Sequence, residues 1–311
     1  MKRELLTWLC CPSCKGGLEA EATERKGEEI REGTLLCRCG RRYPIYRAIP
    51  RFVNGRTYAD SFGFEWKIHR WTQLDSHNHH HVSERAFQSR IDFPLEHLSG
   101  KVVLDAGCGM GRYAEIASRH GSTVVALDLS GAVDVAYENL SSHPNVHFVQ
   151  ADICNPPFPE GAFNFIYSFG VLHHTPHPKE AFQKLSLLLK KEGKIAIFVY
   201  SSYNKAIWVG SDFWRQWTTR LPKRVLYSFC TLSIPLYYLY RIPVMGHCLK
   251  AIFLISMEKD WRWRLLDTFD WYSPKFMSKH THAEVFRWFE ESALKGIKVF
   301  EGGVTMMGTK G

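Results

Sequence analysis

Three kinds of residue in this 311-residue chain could do chemistry: aspartates that close apolar runs, paired cysteines near one end, and two adjacent histidines after a strand-like segment. The densest group is Val102-Val103-Leu104-Asp105-Ala106-Gly107-Cys108-Gly109-Met110-Gly111, an apolar run ending in an acid and followed by glycine at every second position. A helical pattern, Arg112-Tyr113-Ala114-Glu115-Ile116-Ala117, begins at once. Glycine lacks Cβ and takes backbone angles closed to other residues, so a ligand can lie directly against the chain where strand meets helix. The spacing is G-x-G-x-G, not the G-x-G-x-x-G of dinucleotide binders. Asp128 closes the run Ser122–Leu127, and an acid ~20 residues after the glycine loop is placed to accept two ribose hydroxyl hydrogen bonds. Asp152 follows Val146–Gln150, where it could accept from an adenine amino group while Ile153 covers the ring face. Leu129 beside Asp128 and Ser168 at the end of the next run complete the expected lining of a nucleoside-type cofactor site.

Five of the nine cysteines lie in the first 39 residues: Cys10, Cys11, Cys14, Cys37 and Cys39. In a reducing compartment such a cluster points to a metal rather than to disulfides. Cys11-Pro12-Ser13-Cys14-Lys15-Gly16 sets two thiolates on a tight turn, and Cys37-Arg38-Cys39-Gly40 supplies a second pair. Structural zinc takes four tetrahedral ligands, so Cys11, Cys14, Cys37 and Cys39 are the expected set; such a closed site leaves no open position for catalysis. The second pair is C-x-C rather than C-x-x-C, with Cys10 spare, and a ribbon without metal is the alternative. Together with Arg41-Arg42-Tyr43-Pro44-Ile45 and Ile49-Pro50-Arg51-Phe52, this segment resembles the small zinc-ribbon family whose stand-alone members activate tRNA methyltransferases.

The elements that must position these groups alternate strand and helix. Phe163–Ser168 and Lys194–Tyr200 read as the fourth and fifth strands of the series, with Pro178 in the first turn of the helix between them and Glu192-Gly193 as the turn into the fifth. Phe182, Leu185, Leu188 and Leu189 recur at helical spacing. Right-handed crossovers then give a parallel sheet with helices on both faces, and ligands bind at the carboxyl ends of its strands. D-A-G-C-G-M-G, L-D, A-D-I, Y-S-F-G-V-L-H-H-T and E-G-K-I-A-I together resemble a class I S-adenosylmethionine-dependent methyltransferase, over about Ser83 to Tyr200. The resemblance implies an α/β Rossmann-like sheet, S-adenosylmethionine as cofactor, and a preceding segment, with Phe62 and Trp66 on one helical face, that closes over it; plain packing is the other reading of that face.

Methyl transfer from a sulfonium needs alignment and sometimes a base. His173 and His174 are the candidate bases, since an unperturbed imidazole pKa of about 6.5 suits proton removal from a hydroxyl. Packing at a helix entry is their other reading, and Tyr200, Asp270, Tyr272 and His280 are further candidates for substrate contact. No N/D-P-P-Y tetrad follows the fourth strand, which speaks against exocyclic amino-group methylation; Asn155-Pro156-Pro157-Phe158 precedes that strand and reads as a loop. No further motif cysteine suggests attack on cytosine C5. Consecutive histidines rarely converge on one ion, so His77-Asn78-His79-His80-His81 is not expected to bind metal.

The net charge of +9 is uneven: Lys+Arg exceed Asp+Glu by 5 over residues 1–58 and by 7 over 201–311, and fall short by 3 over 59–200. Basic flanks suit nucleic acid, an anionic membrane face, a phosphorylated substrate or simply solvation. No secretory signal is recognisable, so a cytoplasmic protein is expected. Four parts are expected: a zinc ribbon (1–58), a cofactor-binding core with an N-terminal lid (59–200), a helical cap insertion (201–270), and a closing helix with an edge hairpin, Ile297–Phe300 and Val304–Met307 (271–311). In the insertion, uncharged Val225–Tyr240 is shorter than the ~18 residues of a membrane span and contains Pro235. It reads as a cap whose tryptophans, Trp214 and Trp217 among them, wall an apolar acceptor, or as a surface that meets lipid. The expected function is methyl transfer to a small or lipid-linked metabolite, at oxygen, with an RNA methyltransferase as the rival; the oligomeric state is not legible.

Overall fold

The computed structural model describes residues 1–203 and 205–311. Its first unit is a four-stranded antiparallel sheet in the order β1 (Leu18–Lys26), β2 (Glu29–Cys37), β3 (Arg42–Tyr46), β4 (Ile49–Pro50). Three short helices follow, α1 (Asp60–Ile68), α2 (Asp75–Asn78) and α3 (Val82–Gln88). The main body then runs β5 (Val102–Ala106), α4 (Arg112–Arg119), β6 (Thr123–Asp128), α5 (Ala132–Leu140), β7 (Val146–Gln150), β8 (Phe163–Phe169), α6 (Pro178–Leu187), β9 (Leu189–Val199). Helices α7 (Lys205–Thr218), α8 (Lys223–Cys230), α9 (Ser233–Tyr240), α10 (Pro243–Ile252) and α11 (Trp261–Tyr272) form the insertion. The chain closes with α12 (His282–Glu291), β10 (Leu294–Phe300) and β11 (Val304–Lys310).

The seven strands β5–β11 make one sheet in the order β10-β11-β9-β8-β5-β6-β7. Strands β7, β6, β5, β8 and β9 are parallel, and β11 and β10 add an antiparallel edge. This is a Rossmann-like methyltransferase sheet. Strand order reverses between β5 and β8, where a crevice opens at the carboxyl ends. Alternation along the strands sorts the core by face. Leu104, Val125, Ile166 and Ile197 pack against Phe182 of α6 and Phe289 of α12, whereas Val103, Val124 and Phe165 meet Phe87 of α3, Ile116 of α4 and Val133 of α5. Both helix layers are therefore built on period-two burial of β-branched and aromatic side chains.

Local details follow the expected chemistry with one correction. Pro178 opens α6, and the Thr281 hydroxyl accepts from the Glu284 amide to cap α12. Glu192-Gly193, expected as the turn into the fifth strand, lies inside β9, which begins at Leu189. The extra residues are absorbed by a register shift, Leu189 opposing Phe163 and Lys194 opposing Phe165.

The N-terminal unit covers the β7 edge. Arg51 forms a parallel bridge to Gln150, the Phe52 amide donates to the Gln150 carbonyl at 2.8 Å, and the Arg51 guanidinium pairs with Asp134 at 2.7 Å. Lys2 Nζ donates to the His143, Pro144 and Val146 carbonyls at 2.7–3.0 Å. Leu5, Leu9 and Ile45 share a core with Val149 and Ala151. An exposed strand edge invites pairing with other chains, and this one is closed from within.

Candidate active site

A cavity of about 420 Å³ opens at the switch point, within the ~300–1,000 Å³ of small-molecule sites. Gly107, Cys108, Gly109 and Asp128 form one side of it. Gly107 has φ +94°, and a Cβ there would meet the Val171 side chain at 2.4 Å. Gly111 has φ +96° at the head of α4, where a Cβ would come 2.7 Å from Leu140. Only glycine fits either place; at Gly107 this brings bare backbone to the cavity, whereas Gly111 does not line it and instead lets α4 start close against α5. Asp128 Oδ2 accepts from the Gly109 amide at 2.9 Å, and its Oδ1 from the Ser130 amide and hydroxyl at 2.8 Å. Burial raises the Asp128 pKa, and these bonds oppose the shift.

The other expected cofactor residues stand around this loop. Asp105 and Ser168 are buried behind it, the Ser168 hydroxyl donating to the Ala106 carbonyl at 2.8 Å. Burial pushes the Asp105 carboxyl up to about 8, against the effect of the neighbouring Tyr167 hydroxyl. Leu129, Asp152 and Ile153 sit at the adjoining strand ends but do not line the cavity. Asp152 Oδ1 accepts from the Tyr58 hydroxyl at 3.0 Å, and Ile153 is buried in the core. Phe62 and Trp66 share one face of α1, as their spacing implied. Phe62, Glu65 and Trp66 of α1 all line the cavity, and the Trp66 indole lies 3.1 Å from where a Gly109 Cβ would stand. A positive-φ glycine loop, an acid at the next strand tip and an aromatic cover fit S-adenosylmethionine, with Gly107, Gly109 and Asp128 as the residues that would hold it.

The two histidines part company. His173 is fully buried off the cavity, stacked on Tyr200 with ring centroids 3.9 Å apart, and neither ring nitrogen has a hydrogen-bond partner among the described residues. Burial holds its pKa well below the usual range. His174 lines the cavity. Its Nδ1 is 2.9 Å from the Phe276 carbonyl, which can only accept, so the neutral ring carries its proton on Nδ1 and keeps the Nε2 lone pair. Nε2 lies 3.9 Å from Asp270 Oδ1, and Asp270 Oδ2 accepts from the Tyr200 hydroxyl at 2.7 Å. Burial lowers the His174 pKa, and Asp270 opposes the shift.

Sequence reasoning missed the opposite wall. Trp263, Leu266, Asp267, Asp270 and Trp271 of α11 line the cavity, and of these only Asp270 was expected. Glu65 is 1% exposed, and its Oε2 has no hydrogen-bond partner among the described residues. Burial, then Asp270 and Asp267, raise the Glu65 pKa well above the carboxylate range, and burial pushes Asp267 up to about 7. The signal was present as helical periodicity, 62/65/66 on α1 and 263/267/270/271 on α11. Trp214 and Trp217, expected to wall the acceptor, are instead 38% and 50% exposed and off the cavity, because they sit on the outer side of α7. Tyr272 and His280 are also off it; the Tyr272 hydroxyl bonds to Leu254, and His280 bonds to Ser278 and Glu284.

Forty residues and more upstream of the cavity's strands, the Sγ atoms of Cys11, Cys14, Cys37 and Cys39 all lie within 4.8 Å of one another. Cys11 and Cys39 are 3.7 Å apart and Cys14 and Cys37 3.4 Å. Tetrahedral Zn–S bonds of 2.3 Å place sulfurs ~3.8 Å apart, so the donor set fits zinc despite the C-x-C spacing. The Gly16 amide approaches Cys14 Sγ at 3.4 Å, and Cys10 lies outside the group. The histidine run makes ordinary pairs, His80 with Asp75 and His81 with Glu84; Asp75, His81 and Glu84 do approach one another, but both acids are already hydrogen-bonded.

Comparison with known proteins agrees with both units. Residues 104–197 match the family described as Methyltransferase domain, and residues 2–47 match Trm112p-like protein. The chain is 32% identical over 100 residues to a ubiquinone biosynthesis O-methyltransferase of Coxiella burnetii, covering 32% of this chain and 43% of that one. It is 32% identical over 107 residues to a demethylmenaquinone methyltransferase of Clavibacter sepedonicus, covering 34% and 43%. It thus spans less than half the length of these curated relatives. Among solved structures, a complex between the Haloferax volcanii Trm112 methyltransferase activator and a methyltransferase aligns with TM-score 0.48 at 14% identity, covering 80% of this chain and 96% of that one. The chain carries a methyltransferase domain of the S-adenosylmethionine-dependent type, joined in one polypeptide to an N-terminal Trm112p-like domain.

Proposed function

We propose that the protein methylates an oxygen of a small, lipid-like acceptor, with His174 as the general base. The observation that carries this reading is the His174–Asp270–Tyr200 group on the same cavity as the glycine loop. When bound, S-adenosylmethionine supplies the electrophilic methyl carbon. The chain's residues do the rest. Nε2 of His174 takes the acceptor hydroxyl proton as the oxygen becomes nucleophilic, the Phe276 carbonyl fixes the ring's tautomer, and Asp270 stabilises the imidazolium that results. Phe62, Trp66, Trp263 and Trp271 exclude water and give an apolar acceptor a wall to stack on. The two quinone-pathway relatives support a lipid-like acceptor. A second reading, an RNA acceptor, is favoured by the Trm112p-like domain and its surplus of basic residues.

The test is transfer of labelled methyl from S-adenosylmethionine in a mixture of lipid extract and total RNA. Label in the solvent-extractable fraction is expected. RNase-sensitive label would favour the second reading. His174→Gln should lower kcat by about 10²–10⁴ with cofactor affinity kept; full activity in that variant would remove the base from the mechanism.

A further inference from the structure

The outer side of the insertion is apolar where a globular surface should be polar. Val209, Phe213 and Trp217, one above another on α7, are 65%, 51% and 50% exposed. On α10, Val244 and Ile252 are 80% and 60% exposed on the face that also carries exposed Cys248. The two helices pack together, and Trp214 Nε1 donates to the Ile252 carbonyl at 2.7 Å, so their ridges adjoin. Helix α9, packed against α10, buries Ser233 and Tyr240 and leaves apolar groups outside as well, with Tyr238 68% exposed and Leu239 44%. Phe213, Trp214 and Trp217 alone expose on the order of 300 Å², taking ~150–250 Å² per aromatic side chain. That matches the whole of the largest apolar patch on an ordinary monomer, ~300–600 Å². These side chains do not wall the cavity, so the active site leaves them unexplained.

The charge around them has one sign. Residues 201–257 contain seven Lys or Arg and a single acid, Asp212. Asp212 is already paired with Lys279. Arg220 and Arg224 are exposed beside Trp217 and Phe229, and Arg241 beside Tyr238 and Ile242, so cations and apolar groups interleave. No helix among the described residues is long and apolar enough to cross a membrane.

We propose that α7–α10 form a docking surface for an anionic lipid bilayer, lying in its interface without spanning it. Apolar side chains enter the acyl boundary while Arg220, Arg224 and Arg241 meet the headgroup phosphates. A second copy of this chain would bring two like-charged basic faces together, and charge complementarity therefore selects lipid. The surface is one helix from the site: α11 packs against α7, α8 and α9, and presents Trp263, Asp267 and Asp270 to the cavity. Docking there would bring a lipid-like acceptor beside the site. The proposal itself does not depend on the acceptor, and its test does not use turnover.

The full-length protein is sedimented with vesicles of phosphatidylcholine containing 30 mol% phosphatidylglycerol, and with pure phosphatidylcholine vesicles. Retention on the anionic vesicles is expected to be at least tenfold greater and to weaken with added salt. Phe213→Asp with Trp217→Asp, and separately Arg220→Glu with Arg224→Glu, should each reduce retention at least tenfold with S-adenosylmethionine affinity unchanged, which reports intact folding. Retention of both variants at the wild-type level, or no binding of wild type to anionic vesicles, would overturn the proposal. So would a wild-type dimer by light scattering that stays off vesicles and becomes monomeric in the Phe213/Trp217 variant.

Discussion

Asp128 is bonded from both oxygens to its own strand tip and to the glycine loop. Its removal should therefore act twice, loosening Gly109 and deleting the acceptor we propose for the ribose hydroxyls. Titration calorimetry of Asp128→Ala with S-adenosylmethionine is expected to show affinity weakened about 10–100-fold, in line with loss of two hydrogen bonds of about 1 kcal/mol each. Unchanged affinity would relocate the ribose. At His174 the pKa lies below the ordinary imidazole value, because the ring is buried. The neutral base therefore prevails at neutral pH, and the acid limb of the kcat profile should fall below about pH 6.5. The placement of these residues was legible at residue scale as far as type and spacing go: glycines at every second position and acids at strand tips. Which of two neighbouring histidines faces the cavity was not, since that depends on the turn after β8 and on the Phe276 carbonyl far along the chain.

The helices α1 and α11 bring three carboxyls to one wall, and their cost should show in the pH dependence of folding. Burial pushes the Asp267 carboxyl up from an ordinary 3.8 to about 7, and that of Asp105, behind the glycine loop, up to about 8. At these two sites the folded state binds more protons than the unfolded one, so their contribution to stability is full below about pH 4 and is lost as pH rises through about 7 and 8. His69 and His147, lowered to about 4, act in the opposite sense but only below about 6.5. Between pH 6.5 and 8 the Met1 amine, lowered to about 5 by burial, opposes the carboxyls, so the effect is read as a difference between wild type and Asp267→Asn. That difference should move in favour of the variant by at most ~1.4 kcal/mol per pH unit as pH rises from about 4 to about 7. A difference that stays constant across that window would contradict the assignment. Element type was plain from periodicity, including the edge hairpin and the Thr281 cap. The start of β9 was misplaced because Glu192-Gly193 reads as a turn, while ladder pairing with β8 carries the strand through it.

The whole molecule closes a sheet edge with its own ribbon, so metal and stability should be coupled across the domain boundary. Protein purified without chelator should contain about one zinc per chain. Cys14→Ser should lower that content and speed proteolysis within residues 1–53, with cofactor affinity largely kept; full metal occupancy in a Cys37/Cys39 double substitution would show other ligands. Much at this scale was written locally. The G-x-G-x-G loop, the strand-tip aspartates and the cysteine pairs each rest on a few neighbouring residues, because backbone conformation at glycine and ligand spacing are short-range properties. Sequence by itself thus determined the sheet and the cofactor class, and narrowed the metal candidates to five cysteines; the fold then drew Cys11, Cys14, Cys37 and Cys39 together and left Cys10 out. Tertiary structure alone decided what fills the rest of the cavity. Glu65 and Asp267 are separated by two hundred residues and meet only because α11 folds back over α1. Trp214 and Trp217 have the composition of a pocket wall, but the side of a helix that faces in is set by what packs against it, and here the core takes the other side.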